Sequence, residues 1–200
     1  MWRAKYLISG ELHKMRFEKR KSMLDQVILV NEQDQEIGTM DKIEAHRGSG
    51  KLHRAISVFL KNQKGEWLMQ QRSEKKIVGA LQWANTCCGN VRPGESYEEC
   101  AQRRLREELG IVGVKLQPVK KFQYQTRCNQ NFSEKEMDTV FTGSFSDTPK
   151  LNSDEVAAIQ WMRDGEVVEK LAKDTEKKFV PWLHIMVEQQ GIFSKLQMSK

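Results

Sequence analysis

The residues that could do chemistry begin in one spaced run. Gly89 is followed at set intervals by Glu95, Arg103, Arg104, Leu105, Glu107, Glu108, Gly110 and Ile111. Carboxylates three and four residues apart share one face of a helix. Hard oxygen ligands suit Mg²⁺, and Mg²⁺ neutralises the charge of a diphosphate. A surface helix with ordinary salt bridges would use the same residue types, but it would not need the Gly and Glu positions outside the helix. A second group is scattered. His46 and His53 flank Arg47-Gly48-Ser49-Gly50-Lys51, a stretch that breaks a helix, so a loop is expected to carry them. Glu134 and Glu136 share a face if they lie on a strand. Alone, each pair reads as solvated surface. Together, two carboxylates and two imidazoles make an N/O site suited to Mn²⁺, Zn²⁺ or Mg²⁺.

These residues must be positioned by secondary structure. Val27–Val30 has a buried-strand pattern, and residues 37–40 are expected to pair with it as a hairpin. The apolar run Ile56–Leu60, the turn at 62–65 and Trp67–Met69 read as a second hairpin. Residues 73–93 read as a loop. Ser96, with Glu99 three residues on, is a capping box. It starts a helix that should run to Leu109 and stop at Gly110. Ala101, Leu105 and Leu109 give that helix a buried stripe. Further strands are expected around 122–125, 139–145 and 159–161, and helices over 164–172 and 182–190. Strands interleaved with helices indicate one α/β or α+β domain.

Composition limits the class. The chain has 200 residues, 38% hydrophobic and 30% charged, enough to bury one core. No apolar run approaches the roughly 18 residues of a membrane-spanning helix, so a membrane protein is excluded at this stage. The four cysteines include the neighbours Cys87 and Cys88 and do not form a disulfide framework. Free thiols and the absence of a signal peptide give a cytoplasmic expectation. The net charge of +6 comes almost wholly from residues 1–23, where Arg3, Lys5, Lys14, Arg16, Lys19, Arg20 and Lys21 face only Glu11 and Glu18. That segment reads as a basic N-terminal extension, and residues 24–200 as the domain. The body is near neutral, so no nucleic-acid partner is expected.

The spaced run from Gly89 to Ile111 resembles the Nudix box, a loop–helix–loop that presents carboxylates to a divalent cation on a diphosphate. One position departs from the Nudix hydrolases: they place a Glu where this chain has Arg104. From about Asp25 to Gln190 the chain resembles the type I isopentenyl-diphosphate isomerases of isoprenoid biosynthesis. The resemblance implies a single Nudix-like α/β domain, a mixed β-sheet packed by helices. It implies a small-molecule diphosphate substrate held by Lys42, Arg72 and Lys76 near Gly89, with Mg²⁺ on Glu108. It makes His46, His53, Glu134 and Glu136 ligands of a further metal ion. It makes Cys88 and Glu136 the acid and base, on opposite faces of the substrate's allylic system. Tyr124, in Phe122-Gln123-Tyr124, would orient Glu136, and Trp182, in Pro181-Trp182-Leu183, would face the developing carbocation. On residue type alone Cys88 fits a buried structural thiol, as Cys87 does, and Trp182 fits a core aromatic equally well.

The family has a third metal-binding His directly after Cys-Gly, and this chain has Asn90. An amide oxygen ligates a hard ion neutrally, so Mg²⁺ or Mn²⁺ is expected ahead of Zn²⁺, which prefers N and S. If Cys88 is an acid/base in a cation-lined site, its thiolate should be stabilised. The implied reaction converts isopentenyl diphosphate to dimethylallyl diphosphate by protonation and deprotonation through a carbocation. Two rivals stay open. A Nudix hydrolase of a nucleoside or other diphosphate fits the box and Asn90. A non-catalytic diphosphate-binding module fits Arg104 and Asn90 together.

Overall fold

The strand that organises the fold is β3, His53–Lys61, buried along almost its whole length. In the computed structural model, which describes residues 25–194, it hydrogen-bonds to four partners. Three are antiparallel: β1 (Gln26–Val30), β4 (Trp67–Arg72) and β6 (Cys87–Asn90). The fourth, β8 (Ser133–Ser144), runs parallel to it over nine residue pairs. β2 (Glu36–Asp41) pairs with β1, β5 (Trp83–Ala84) and β9 (Val156–Met162) with β4, and β7 (Gln117–Arg127) with β8. The result is one mixed sheet. The basic extension at 1–23 lies outside the described residues.

Helices cover the sheet and its core. α1 (Lys42–His46) is short and is capped by Asp41, whose Oδ1 accepts from the Ile43 and Glu44 amides. α2 (Tyr97–Leu109) is the helix that the capping box announced. Ser96 accepts from the Glu99 amide, Glu99 accepts from the Ser96 amide, and Gly110 closes the end at φ 64°. Its Cys100, Ala101, Leu105 and Leu109 pack on Ile56, Val58, Leu60 and Phe141. Truncating Leu105 to Ala would cost roughly 2–5 kcal/mol. A second core cluster gathers Phe59, Trp67, Met69 and Val140 with residues of α3 (Asp164–Ala172) and α4 (Pro181–His184).

Two expectations need correction. The segment at 73–93 is not all loop, because Trp83–Ala84 and Cys87–Asn90 are strands. The dipeptide Trp83–Ala84 and the run Cys-Cys-Gly-Asn carry no strand periodicity; pairing with β4 and β3 makes them strands. The last helix does not run regularly over 182–190. It is α-helical only to His184, then widens into a π turn over Ile185–Gln189. No helix among the described residues is long and apolar enough to cross a membrane.

Candidate active site

Sheet register assembles the site. Across β3 and β8, His53 pairs with Glu136. Across β7 and β8, Tyr124 pairs with Glu136 and Thr126 with Glu134. Across β3 and β6, Ser57 pairs with Cys88 and Ala55 with Asn90. Residues 46 apart in sequence, such as Asn90 and Glu136, therefore come within hydrogen-bond distance at 3.0 Å. α1 brings His46 to the same place.

His46, His53, Glu134 and Glu136 are all buried, and a ligand atom from each lies within 4.8 Å of every other. Each imidazole is oriented by its Nδ1, which lies 2.6 Å from the Lys42 carbonyl in His46 and 2.7 Å from the Lys51 carbonyl in His53. With Nδ1–H donating, each Nε2 turns its lone pair to the carboxylates, the orientation a metal-binding histidine needs. His46 Nε2 is 2.9 Å from Glu134 Oε2, an oxygen with no hydrogen-bond donor of its own. Two lone pairs at that separation call for a positive charge between them, either a proton or a metal ion. Burial disfavours charge on His46, but Glu134 and Glu136 prevail and raise its pKa. Burial also opposes charge on Glu134, yet His46 and His53 hold it low. Glu136, buried beside the Glu134 charge, is raised. The donor set fits a divalent ion.

Asn90 sits beside this cluster. Its amide nitrogen donates to Glu136 Oε1 at 3.0 Å and lies 3.0 Å from His53 Nε2. Thus it turns a donor, not its oxygen, toward the ligand atoms.

A cavity of about 290 Å³ opens beside the cluster. Eleven of the thirteen residues singled out from the sequence line it: Lys42, His46, Arg72, Lys76, Cys88, Gly89, Asn90, Tyr124, Glu134, Glu136 and Trp182. His53 and Glu108 do not. His53 is wholly buried, and Glu108 is 1% exposed. Both oxygens of Glu108 are engaged, one by Arg104 and the other by Gln70 Nε2 at 2.9 Å. Glu108 as it stands does not fit Mg²⁺ without displacement of Arg104. Arg104 also bonds Glu107 and Glu155 and lines the cavity itself. Gly89 makes room for it, since a Cβ there would lie 2.5 Å from Arg104 Cγ.

The cations are less free than their types suggested. Arg72 spends Nε and Nη2 on the Val78 carbonyl, at 3.1 and 2.9 Å, and its guanidinium lies 5.2 Å from the centre of the Trp182 ring. Lys76 pairs with Glu155 at 2.5 Å. The Lys42 chain is exposed, but its ammonium sits between cavity walls, and this desolvation, with Lys76 and Arg104 nearby, lowers its pKa to about 8.

Cys88 corrects an expectation. Desolvation, then the Asp138 charge, push its thiol up to about 12, and Arg72 does not reverse this. It is a thiol, suited to donating a proton, and not a stabilised thiolate. Its Sγ donates to Asn85 Oδ1 at 3.1 Å and lies 3.8 Å from Ser57 Oγ, which donates to Asp138 Oδ2 at 2.8 Å. Asn85 is fixed by donating to the Val58 and Cys87 carbonyls. Sequence reasoning missed Asn85, Ser57, Asp138 and Glu155. Asp138 had a signal, because it continues the alternation of Glu134 and Glu136 on β8.

Comparison with known proteins identifies the family. The NUDIX domain family model matches residues 51–183. The isopentenyl-diphosphate Delta-isomerase of Nocardia farcinica is 43% identical over 163 residues, covering 81% of this chain and 92% of that protein. The enzyme of the same name from Pectobacterium atrosepticum is 36% identical over 162 residues, covering 81% and 89%. A crystal structure of a Deinococcus radiodurans protein superposes with a TM-score of 0.69 at 22% identity, over 82% of this chain and 98% of that one, and supports the fold alone. A NUDIX fold shared with one set of proteins, and sequence shared along most of its length with another, place this chain in the isopentenyl-diphosphate Delta-isomerase family of the NUDIX superfamily.

Proposed function

We propose that this chain converts isopentenyl diphosphate to dimethylallyl diphosphate, with the acid and base supplied by Cys88 and Glu136. The observation that carries the reading is the meeting of Cys88, Glu136, Tyr124 and Trp182 on one cavity whose rim holds Lys42, Lys76 and Arg104. The cations bind the diphosphate end. The hydrocarbon end lies among Cys88, Tyr124 and Trp182. One of the acid/base pair gives a proton to the terminal carbon of the double bond, leaving a tertiary carbocation. The other removes a different proton from the carbon on the far side of that centre, and the double bond re-forms one position along. The aromatic face of Trp182 favours positive charge. Tyr124 donates to Glu136 Oε2 at 2.6 Å and fixes the carboxyl in place.

His46, His53, Glu134 and Glu136 would hold a divalent ion, and Asn90 would join them only with its amide turned over. The two imidazoles and two carboxylates form a mixed N/O set, and a third oxygen from Asn90 in place of an imidazole would favour Mn²⁺ or Mg²⁺ over Zn²⁺. When bound, such an ion supplies fixed positive charge that keeps the carboxylates ionised and oriented. The diphosphate reading rests on Lys42, Lys76 and Arg104, with Arg72 partly committed to Val78. A Mg²⁺ ion on Glu108 is not included, because Arg104 occupies that carboxylate.

The test is to incubate the protein with isopentenyl diphosphate and a panel of divalent ions and follow both isomers by NMR. Interconversion without phosphate release is expected. Release of phosphate or pyrophosphate, or no reaction with any ion, would overturn the reading.

A further inference from the structure

We propose that Glu155 is an internal competitor for the diphosphate site, a carboxylate that occupies its cations until a ligand displaces it. The inference rests on the reading of the cavity cations as a diphosphate clamp. A single oxygen, Glu155 Oε2, lies 2.5 Å from Lys76 Nζ and 3.1 Å from Arg104 Nη2. The two cations come from different elements, the turn after β4 and the middle of α2. An oxygen bridging an ammonium and a guanidinium is the arrangement a phosphate oxygen would make with the same pair. Lys76, Arg104 and Glu155 all line the cavity, so the carboxylate sits where an anionic ligand must arrive.

Its backbone is fixed while its side chain reaches inward. The Glu155 amide donates to the Asn152 carbonyl at 2.9 Å, and the Glu155 carbonyl accepts from the Ser73 amide at 2.9 Å. Asn152 is tied to the end of α2 through the Glu107 and Glu108 carbonyls. The carboxylate can therefore leave the cations by rotating its side chain without unfolding the turn. It also has a reason to be there. Lys42, Lys76 and Arg104 line one cavity, so like charges gather there and repel one another. Glu155 offsets that repulsion in the free protein. An arriving diphosphate must break its contacts or meet its charge, so the measured affinity is the intrinsic one reduced by the fraction of molecules with the carboxylate displaced.

The experiment measures binding of inorganic pyrophosphate, by calorimetry in chelator without divalent ion, to the wild type and to Glu155→Gln. The amide keeps the shape and removes the charge. Affinity should rise about fivefold or more. Glu155→Asp, which keeps the charge but withdraws it by one methylene, should change affinity in the same direction and serves if the Gln variant does not fold. Lys76→Met separates the two levels of the argument. If Lys76→Met leaves pyrophosphate binding unchanged, the clamp reading itself fails. If Lys76→Met weakens binding while both Glu155 variants bind no tighter than wild type, Glu155 positions the cations and does not compete for them, and the inference is overturned.

Discussion

Tyr124 and Glu136 face each other across the antiparallel pair of β7 and β8, and the phenol donates to Glu136 Oε2 at 2.6 Å with both groups buried. Burial, with Glu136 and Glu134 beside it, raises the Tyr124 pKa well above its usual value, so the phenol remains a donor. The other oxygen of Glu136 accepts from Asn90. The carboxyl is thus held from two strands at once. Tyr124→Phe removes one hold without changing the ring. Turnover should fall about 10–100-fold with little change in the Michaelis constant, as is usual when a supporting hydrogen bond to a site ligand is lost. Steady-state kinetics of the purified variant would check this. A variant with unaltered turnover would remove Tyr124 from the mechanism.

Cys88 makes two separable predictions. As an acid/base group its replacement by Ala should lower isomerisation by at least about 10²–10⁴-fold while pyrophosphate still binds, because the cations are untouched. As a thiol raised to about 12, it should react slowly with iodoacetamide near neutral pH, since the thiolate is the nucleophile. Cys100 and Cys128 are also raised to about 12, and Cys87 well above its usual value, all chiefly by burial. No cysteine should therefore stand out in a labelling time course read by mass spectrometry. Rapid, substrate-protected labelling of Cys88 would restore the thiolate expectation.

The parts of this site that could be read in the sequence are those encoded locally. α2 was readable from Ser96, Glu99, Gly110 and the four-residue recurrence of Ala101, Leu105 and Leu109, because caps and periodicity are contacts within one turn or two. The shared face of Glu134 and Glu136 was readable only on condition that they lay on a strand; the strand was expected from Thr139, and β8 extends back to Ser133. What was not readable is the register of β3 against β6 and β8. It is set by how the apolar faces of distant strands pack, and a one-residue slip would send every side chain to the other face. Glu155 was missed because a carboxylate in a turn, here beside Asp154, has no local signature. Its meaning comes from Lys76 and Arg104, which the fold delivers from elsewhere. Arg104 was legible only as a departure from the hydrolase pattern, and in the fold it bonds Glu107, Glu108 and Glu155 together.

Glu155 also makes a prediction about acid stability. Burial opposes its charge, but Arg104 and Lys76 prevail and lower its pKa from 4.5 to about 2. A carboxyl lowered on folding stabilises the folded state above its unfolded pKa, and the contribution is lost as pH falls toward the folded value. Near neutrality Glu155→Gln should therefore be less stable than wild type by about 1.5 kcal/mol, moderated because the side chain is partly exposed. That difference should shrink as the pH falls from about 5 toward about 2. Urea unfolding of both proteins across this range would decide it. A difference independent of pH would mean that packing, and not charge, accounts for the loss.

The last prediction concerns Asn90, where the chain departs from the family pattern. Its amide nitrogen reaches Glu136 and approaches His53 Nε2, the same atoms that would face a metal ion. Asn90→His puts an imidazole at that position. The new ring can contribute a third nitrogen to His46 and His53, provided its other nitrogen finds an acceptor. Zn²⁺ and Mn²⁺ should then bind more tightly than to the wild type, with the larger gain for Zn²⁺, which favours nitrogen. Mg²⁺ should change least, because it selects oxygen. Metal titration by calorimetry, with thermal unfolding in saturating ion as a second readout, would measure the gain. In the His46→Ala background the metal-dependent rise in melting temperature should disappear, because a ligand that binds only the folded state stabilises it by mass action. Equal affinity of the wild type and Asn90→His for every ion would show that position 90 does not reach the metal, although it lies within 3.0 Å of Glu136 Oε1.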